Sequence, residues 1–359
     1  MFAHQASGSS ISAAVRLLVC VVGVLRAIDA VKASTGDRDF AFRQCTSICE
    51  STGCIQLQVG KQSIESGCDA ACPGLNGMPV PLHLMLTRWT CHDDCRYRCM
   101  DLRKLYTIDQ QDGSKCKYFG KWPFQRVFGI QELLSVIFSL ANLAAHAHNI
   151  YKLRTAHLTN QHQPSFGSSQ GPVWGLWYTY ALGSINAWWW SAVFHSRDTY
   201  VTERLDYLSA DVSIVIGLYV SVVRILGVTS LRSRLAWAVP LVFATVVHFH
   251  YMLFITFDYG FNVTLCVLIG VLQQVMWCTW ALMKSHPCKK QLFAFVVLIN
   301  AALILEILDF PPIVGFLDAH ALWHLCTVPL IYLWYCFVLA DAKWAAASAA
   351  HLTTADKQQ

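Results

Sequence analysis

Two histidines spaced four residues apart are the first candidates for chemistry in this chain. His320 and His324 lie in the stretch Asp318-Ala-His-Ala-Leu-Trp-His324, directly before a long apolar run. On a helix, this spacing places both imidazoles on one face, where both can bind one ion. The pair alone is weak evidence for a metal site, because a histidine at a membrane boundary often has no functional role. The argument therefore depends on which other polar residues reach the same place.

The composition is that of a polytopic membrane protein. Of the 359 residues, 55% are hydrophobic and only 14% are charged, which lies outside the range of ordinary soluble domains. The net charge of +5 is modest. Because the lysines and arginines are dispersed, nothing indicates a nucleic-acid partner.

Residues 1–33 have the pattern of a secretory signal peptide. Arg16 precedes a short apolar run at 17–25, and small residues follow, with cleavage expected after Ala30 or Ala33. The run is too short for a typical spanning helix. An uncleaved anchor is the alternative.

A cysteine-rich segment, residues 34–123, follows the signal. It contains nine of the 15 cysteines: Cys45, Cys49, Cys54, Cys68, Cys72, Cys91, Cys95, Cys99 and Cys116. So dense a cluster behind a signal peptide predicts a disulfide-stapled lumenal domain. Because nine is an odd number, one thiol is free or pairs elsewhere. A zinc-binding cysteine domain is the alternative, which the spacings and the oxidising compartment disfavour.

Residues 124–342 are predicted to form a seven-helix transmembrane domain, with a cytosolic tail at 343–359. Each of the seven apolar segments is about 20 residues long, enough to cross a bilayer. They are 127–150, 173–195, 205–223, 235–254, 261–283, 291–309 and 319–340. The predicted fold class is therefore an all-α polytopic membrane protein, a seven-transmembrane-helix bundle with an N-terminal disulfide-rich lumenal domain.

The distribution of basic residues favours this orientation. The positive-inside rule places lysine and arginine in cytosolic loops. Only Arg197 and Arg204 fall in the predicted lumenal loops. The predicted cytosolic loops contain Lys152, Arg154, Arg224, Arg232, Arg234, Lys284, Lys289 and Lys290.

That topology brings ligand-type residues to one face of the membrane. His195 ends the second helix and Asp206 begins the third, while His320 and His324 begin the seventh. Ser191 precedes His195 by four residues and faces the same way. Three neutral imidazoles with one open position are a common set of ligands for catalytic Zn²⁺. Asp206 could then hold or deprotonate a water molecule, and Ser191 could hydrogen-bond a developing oxyanion.

Other polar residues fall within the predicted spans. A charge at the bilayer centre costs about 2.5–3.5 kcal/mol on insertion scales, so Glu132 and Asp211 should face the bundle interior. Their role, as metal support, headgroup contact or helix contact, is left open, as it is for Asn142, Asn186, Asn300 and Glu306. A spacing of two puts paired histidines on nearly opposite helix faces, which favours packing roles for His146/His148 and His248/His250.

Several motifs together resemble a known family. They are WTCHDDCRYRCM (89–100), GKWPFQR (120–126), GIQELLSVIFSLANL (129–143), NAWWWSAVFHSRDTYVTERLDY (186–207) and LDFPP with LDAHALWH (308–324). In this order, over about residues 37–345, the chain is similar to the Per1-like proteins, also called the post-GPI-attachment-to-proteins factor 3 family. That family is grouped with alkaline ceramidases and the progestin and adiponectin receptors, all seven-helix membrane proteins.

The resemblance implies a site and a reaction. The three zinc ligands of the superfamily correspond to His195, His320 and His324, its aspartate to Asp206 and its serine to Ser191. The family removes the unsaturated sn-2 acyl chain from the phosphatidylinositol of GPI-anchored proteins, which leaves a lyso form. The implied activity is therefore that of a zinc-dependent phospholipase A2, and the implied partners are GPI-anchored proteins and their lipid. The implied location is the endoplasmic reticulum or Golgi membrane.

Three alternatives stay open at this point. The same metal site could hydrolyse an amide, as in a ceramidase. A lipid receptor could use the zinc structurally, and a non-catalytic escort for GPI-anchored cargo would not need the histidines. The loop at 155–172 is longer and more polar than the family leads us to expect. Because it is predicted to be cytosolic, it concerns regulation or partner binding rather than the chemistry.

Overall fold

The structure is a computed structural model that describes residues 36–72, 74–75, 79–109, 116–161 and 171–356. The predicted signal peptide therefore lies outside the described residues. So do residues 162–170 of the polar loop.

The N-terminal region folds as a small domain of helices and one hairpin. Its elements are α1 (Phe40–Thr52), β1 (Ile55–Val59), β2 (Gln62–Gly67), α2 (Leu82–Leu86) and α3 (Cys91–Asp109). β1 and β2 pair antiparallel and form a hairpin that the all-α prediction did not include. α1 ends at Gly53, whose φ of 72° is a left-handed conformation that glycine adopts without strain. The chain then turns directly into β1.

Four disulfides staple this domain, which confirms the predicted disulfide framework. α1 carries two cysteines and α3 carries three, each one helical turn from the next, and two bridges join the helices side by side, Cys45–Cys99 and Cys49–Cys95. The other two bridges are Cys54–Cys68 and Cys72–Cys91. Cys116 is the odd thiol of the nine.

The alternative of a cysteine zinc site does not hold for these sulfurs. Cys72, Cys91 and Cys95 lie close enough together to hold an ion. All three are oxidised in disulfides, whereas a zinc ligand must be a free thiolate. Their proximity therefore reflects adjacent disulfides.

Seven long helices follow the N-terminal domain in the described part of the chain. They are α4 (Leu133–Gln161), α5 (Gly171–Ser196), α6 (Tyr200–Ile225), α7 (Leu231–His250, continued by a π-helical turn at Tyr251–Ile255), α8 (Tyr259–Met283), α9 (Lys289–Leu308) and α10 (Ala319–Asp356). Six of them, all except α5, are long and apolar enough to cross a membrane. The chain is therefore a multi-pass membrane protein.

The predicted number of seven spans differs from this result at α5. This helix has 26 residues, but it is rich in tryptophan and tyrosine, whose polar groups lower its hydropathy. α5 nevertheless packs against both α4 and α6 within the bundle. α10 also differs from the prediction in length, because it continues to Asp356 through residues expected to form a tail.

The start of α4 and alternate helix connections meet at one end of the bundle, here called the domain-side end. The connections there are 197–199, 256–258 and 309–318. The cysteine-rich domain lies over them and is held to the bundle, within the described residues, by four ion pairs: Asp93–Arg197 at 2.7 Å, Lys121–Asp198, Lys121–Glu203 at 3.5 Å and Lys117–Asp309. Residues at this end are therefore enclosed between the domain and the helices.

The apolar core of the bundle lies toward the opposite end. Trp177, Trp277 and Trp334 contact one another there, with ring centroids 5.8–6.2 Å apart. Beside them, Arg224 donates two hydrogen bonds to the buried carboxylate of Asp341, at 2.9 and 2.8 Å. This packed end fixes α5, α6, α8 and α10 relative to one another and so positions their domain-side ends.

Candidate metal centre

Three imidazoles meet at the domain-side end. His195 lies in the last turn of α5, and His320 and His324 lie in the first turns of α10. The ligand nitrogens of all three lie within 4.8 Å of one another. His195 and His324 are buried, 3% and 2% exposed, and His320 is half-buried. Among the described residues the structure thus gathers the three predicted ligands around one point.

Each of these histidines has a hydrogen-bond partner at Nδ1. Glu132 accepts from His195 at 2.7 Å and Glu306 accepts from His320 at 2.6 Å. The Nδ1 atom of His324 lies 3.0 Å from Ser139 Oγ. Because the Ser139 hydroxyl donates to the Ser135 carbonyl at 2.7 Å, we assign the proton of this contact to His324 Nδ1. All three rings therefore keep an Nε2 lone pair for a ligand.

The spacing of these lone pairs fits a metal ion. The Nε2 atoms of His195 and His320 are 3.3 Å apart. Two nitrogen lone pairs at this distance repel each other unless a cation or a proton lies between them. Zn–N bonds of about 2.0–2.1 Å at tetrahedral angles would separate two ligand nitrogens by about 3.3 Å. Carboxylate or hydroxyl partners on the second ring nitrogen are also typical of histidines that bind metals.

Asp318, the carboxylate of the opening motif, has a different role from its histidine neighbours. Its Oδ1 accepts the Ala321 N–H at 2.8 Å, so it caps the N-terminus of α10. Burial raises the pKa of Asp318, although this hydrogen bond opposes the shift. The residue therefore sets where α10 begins and, through it, where His320 and His324 lie.

The structure places the two predicted catalytic residues next to this cluster. Asp206 lies in the second turn of α6, half-buried, and interacts electrostatically with His195 and His320. Ser191 is buried one turn before His195, and its Oγ lies 3.0 Å from Ser139 Oγ. Ser191 is therefore linked to the His324 ring by two hydrogen bonds through the Ser139 hydroxyl.

The N-terminal domain contributes charge to the same region. Lys121 pairs with Asp198 and lies 3.5 Å from Glu203, with its ammonium 4.4 Å from the ring centre of Phe194. Burial opposes the charge on Lys121, but the two carboxylates outweigh it and raise the pKa of this lysine. Lys121 thus ties the domain to the connection that directly follows His195.

Sequence reasoning missed the three partners of the imidazoles. The sequence identified Glu132 and Glu306 as charged residues within predicted spans but left their roles open, and it gave no indication of a role for Ser139. For the two glutamates, the sequence signal was a carboxylate within a predicted span, because a charge buried in a membrane protein is costly unless it has a partner. Which partner each has depends on helix rotation, which the hydropathy pattern does not give.

The other paired histidines lie elsewhere in the bundle. His146 Nδ1 contacts the Tyr335 hydroxyl at 3.1 Å, and His148 is exposed. His248 Nε2 lies 2.7 Å from Asn262 Oδ1 and 3.4 Å from Asp211. Among the described residues, neither pair belongs to a group of ligand atoms close enough to hold an ion.

The fold and site define a class of multi-pass membrane proteins in which a three-histidine cluster lies beneath a disulfide-linked domain. A family model described as the Per1-like family matches residues 81–342. The chain belongs to this family, which confirms the resemblance seen in its motifs.

Several curated proteins are similar over most of their length. "GPI-specific phospholipase A2-like PGAP3" of Danio rerio is 35% identical over 314 residues, covering 86% of this chain and 91% of that protein. The Homo sapiens protein of the same name is 34% identical over 315 residues, covering 87% and 90%. "Protein PER1 homolog" of Schizosaccharomyces pombe is 35% identical over 321 residues, covering 88% and 89%.

Proposed function

We propose that this protein hydrolyses the sn-2 acyl ester of the phosphatidylinositol in GPI anchors, giving a lyso-GPI, with Zn²⁺ held by His195, His320 and His324. The observation that carries the proposal is the set of three imidazoles, two buried and one half-buried, whose Nε2 atoms face one another while each Nδ1 has a hydrogen-bond partner. The printed names of the relatives, which describe them as GPI-specific phospholipase A2-like, support the substrate and the reaction.

The residues around the cluster supply the remaining chemistry. Bound Zn²⁺ would supply a Lewis acid for the ester carbonyl. Asp206 is the proposed general base, because its carboxylate interacts electrostatically with His195 and His320 and could take a proton from the attacking water. Water, rather than Ser191, is the proposed nucleophile. Ser191 is the proposed oxyanion donor, and it must exchange its hydrogen bond to Ser139 for one to the substrate oxygen.

We assign the domain-side end to the lumen of the endoplasmic reticulum or Golgi. Four disulfides require an oxidising compartment. Most basic residues near the connections of the bundle lie toward the opposite end, among them Lys152, Lys284 and Lys289; this bias is typical of the cytosolic side. The histidine cluster would then reach lipids of the lumenal leaflet. GPI-anchored proteins are the proposed partners.

The test is the lipid composition of a GPI anchor in cells that lack this protein. The anchor of one cell-surface protein is analysed by mass spectrometry after rescue with wild type, His320→Ala or His148→Ala. His148 is the matched control, because it is an exposed histidine outside the cluster. We expect the unsaturated sn-2 chain to persist in the null cells and with His320→Ala, and to be removed with wild type and His148→Ala.

An unchanged lipid profile in the null cells would overturn the proposal. Purified protein would then be supplied with ceramide, since the same ligand set could cleave an amide. Full rescue by His320→Ala would instead remove the metal cluster from the reaction and favour an escort role for GPI-anchored cargo.

A further inference from the structure

One apolar face of the cysteine-rich domain is left uncovered. Leu82, Met85 and Leu86 share a face of α2 and are 64%, 60% and 72% exposed. Phe128 is 79% exposed, and its ring lies 6.4 Å from that of His83 on the same helix. These four apolar residues are called the α2 patch. A cluster of large, exposed apolar side chains on a folded domain marks an interaction surface.

The α2 patch is fixed at the level where the chain enters the membrane. Gly129 packs so closely on α2 that an added Cβ would collide with the Thr87 side chain. Glu132, three residues later, donates its backbone N–H to the His195 carbonyl at 3.0 Å, at the end of α5. Because α4 starts at the next residue, the patch cannot move far from the domain-side ends of the spanning helices.

The chemistry around the patch is that of a lipid–water boundary. α2 and the turn at 127–130 contain no Asp, Glu, Lys or Arg. Arg88, just beyond α2, is exposed and has no ion pair with a carboxylate in the described part of the chain. An arginine beside an apolar surface can extend to lipid phosphates while its alkyl stem stays in the apolar region. α4 then exposes Ile137 and Leu140, 46% and 44%, within its first turns.

We propose that the α2 patch inserts into the leaflet on the domain side as an interfacial anchor, with Arg88 at the level of the phosphates. Apolar faces of this kind enter the headgroup and acyl boundary by about 5–10 Å. The cysteine-rich domain is then attached to the membrane twice, by the chain at α4 and by the α2 patch. This second attachment holds the domain over the connection that follows His195. The inference does not depend on the reaction catalysed.

The experiment uses the full-length protein in vesicles of phosphatidylcholine and phosphatidylinositol. A photo-crosslinking amino acid replaces Leu86 in one sample and Gln62 in the control; Gln62 is an exposed residue of β2 in the same domain. Adducts are identified by mass spectrometry after irradiation. We expect lipid adducts several-fold more abundant at Leu86 than at Gln62. Equal yields, or adducts at Leu86 to a second copy or another protein, would overturn the proposal.

A depth measurement separates insertion from transient collision. A fluorescent amino acid at position 86 is quenched by lipids brominated either near the headgroup or near the acyl terminus. The shallow bromines should quench more strongly than the deep ones, and both more strongly than at position 62. Absence of quenching at position 86 would contradict insertion even if some lipid adducts had formed. Intact disulfides and unchanged zinc content serve as folding controls for each labelled protein.

Discussion

Glu132 is the hydrogen-bond partner of His195, one of the three proposed metal ligands. Its Oε2 accepts the Nδ1–H of His195 at 2.7 Å, and its side chain is only 12% exposed. Glu132→Gln keeps the shape but removes the negative charge that orients the ring and makes it a better ligand. Changes at such partners usually cost about 10–100-fold in metal affinity. We expect a loss of this size in zinc affinity, measured by competition of the purified protein with a chromophoric chelator.

The matched control for this change is Glu65→Gln. Glu65 lies on the exposed strand β2 and accepts a hydrogen bond from Gln56 at 2.8 Å, far from the histidines in the fold. Zinc retention should be unchanged in this variant. If Glu132→Gln retained zinc as tightly as Glu65→Gln, the assignment of Glu132 as the partner of a metal ligand would be wrong.

A substitution at Asp206 is expected to lower turnover without affecting metal binding. Asp206 interacts electrostatically with His195 and His320 but is not among the grouped ligands. Asp206→Asn should therefore retain zinc while turnover falls by about 10²–10⁴-fold, the usual contribution of a general base. The measurement is release of fatty acid from a GPI lipid together with zinc content. Loss of zinc along with turnover would instead make Asp206 a ligand, and unchanged turnover would remove it from the mechanism.

The sequence predicted which histidines meet at the site, but it did not predict their hydrogen-bond partners. Sequence spacing and topology were enough to bring His195, His320 and His324 to one predicted face, because each lies at the end of an apolar run. The partners Glu306 and Ser139 could not be predicted in the same way. A helical residue turns by about 100° per position, so a small error in helix rotation moves a side chain from one neighbour to another.

Asn142 of α4 links this helix to α10 beside the histidine cluster. Its amide donates to the His324 carbonyl at 2.8 Å and accepts from the Thr327 hydroxyl at 3.0 Å, and all three groups are buried. Asn142→Leu would remove both of these hydrogen bonds, while the Thr327 hydroxyl would keep its hydrogen bond to the His324 carbonyl at 2.7 Å; the loss of a hydrogen bond costs about 0.5–1.5 kcal/mol. We expect a loss of this size in the free energy of unfolding, measured in mixed micelles, together with weaker zinc retention.

The control for Asn142 lies further along the same helix. Thr155 is exposed and bonds only to the Tyr151 carbonyl one turn earlier, at 3.0 Å. Thr155→Val should change the free energy of unfolding far less than Asn142→Leu. Equal effects of the two substitutions would show that Asn142 contributes helix propensity rather than a link between α4 and α10.

Hydropathy predicted the helix boundaries to within several residues, except for the ends of α4 and α10, which continue past the predicted spans to Gln161 and Asp356. It was least informative where a helix contains many polar aromatic residues. The aromatic side chains of α5 lower its hydropathy although the helix packs between two others. The hairpin of β1 and β2 was missed because the cysteine pattern dominated that segment. A cysteine pattern predicts that disulfides constrain the fold, but it does not predict whether helices or strands contain the cysteines.

At the scale of the whole molecule, the cysteine-rich domain and the bundle form one unit around the histidines. Arg197 follows His195 by two residues, bonds to Asp93 of α3 and stacks on Trp89, 4.1 Å from its ring centre. Burial of the domain-side end therefore depends on a separately folded, disulfide-linked domain. The sequence predicted a lumenal disulfide-linked domain ahead of the helices, but the contacts between the two parts came only from the structure.

The coupling between the two parts can be measured through Asp93 and Arg197, whose side chains are 32% and 13% exposed and 2.7 Å apart. A double-mutant cycle with Asp93→Ala and Arg197→Ala should give a coupling energy of about 0.5–3 kcal/mol in equilibrium unfolding. Both single variants should also lower turnover, because the connection after His195 loses its support. The control cycle uses Glu50 and His92, an ion pair 37% and 58% exposed, whose coupling should be near zero. Equal coupling in the two cycles would mean that the domain lies on the bundle without stabilising it, and the histidine cluster would then have to be positioned by the helices alone.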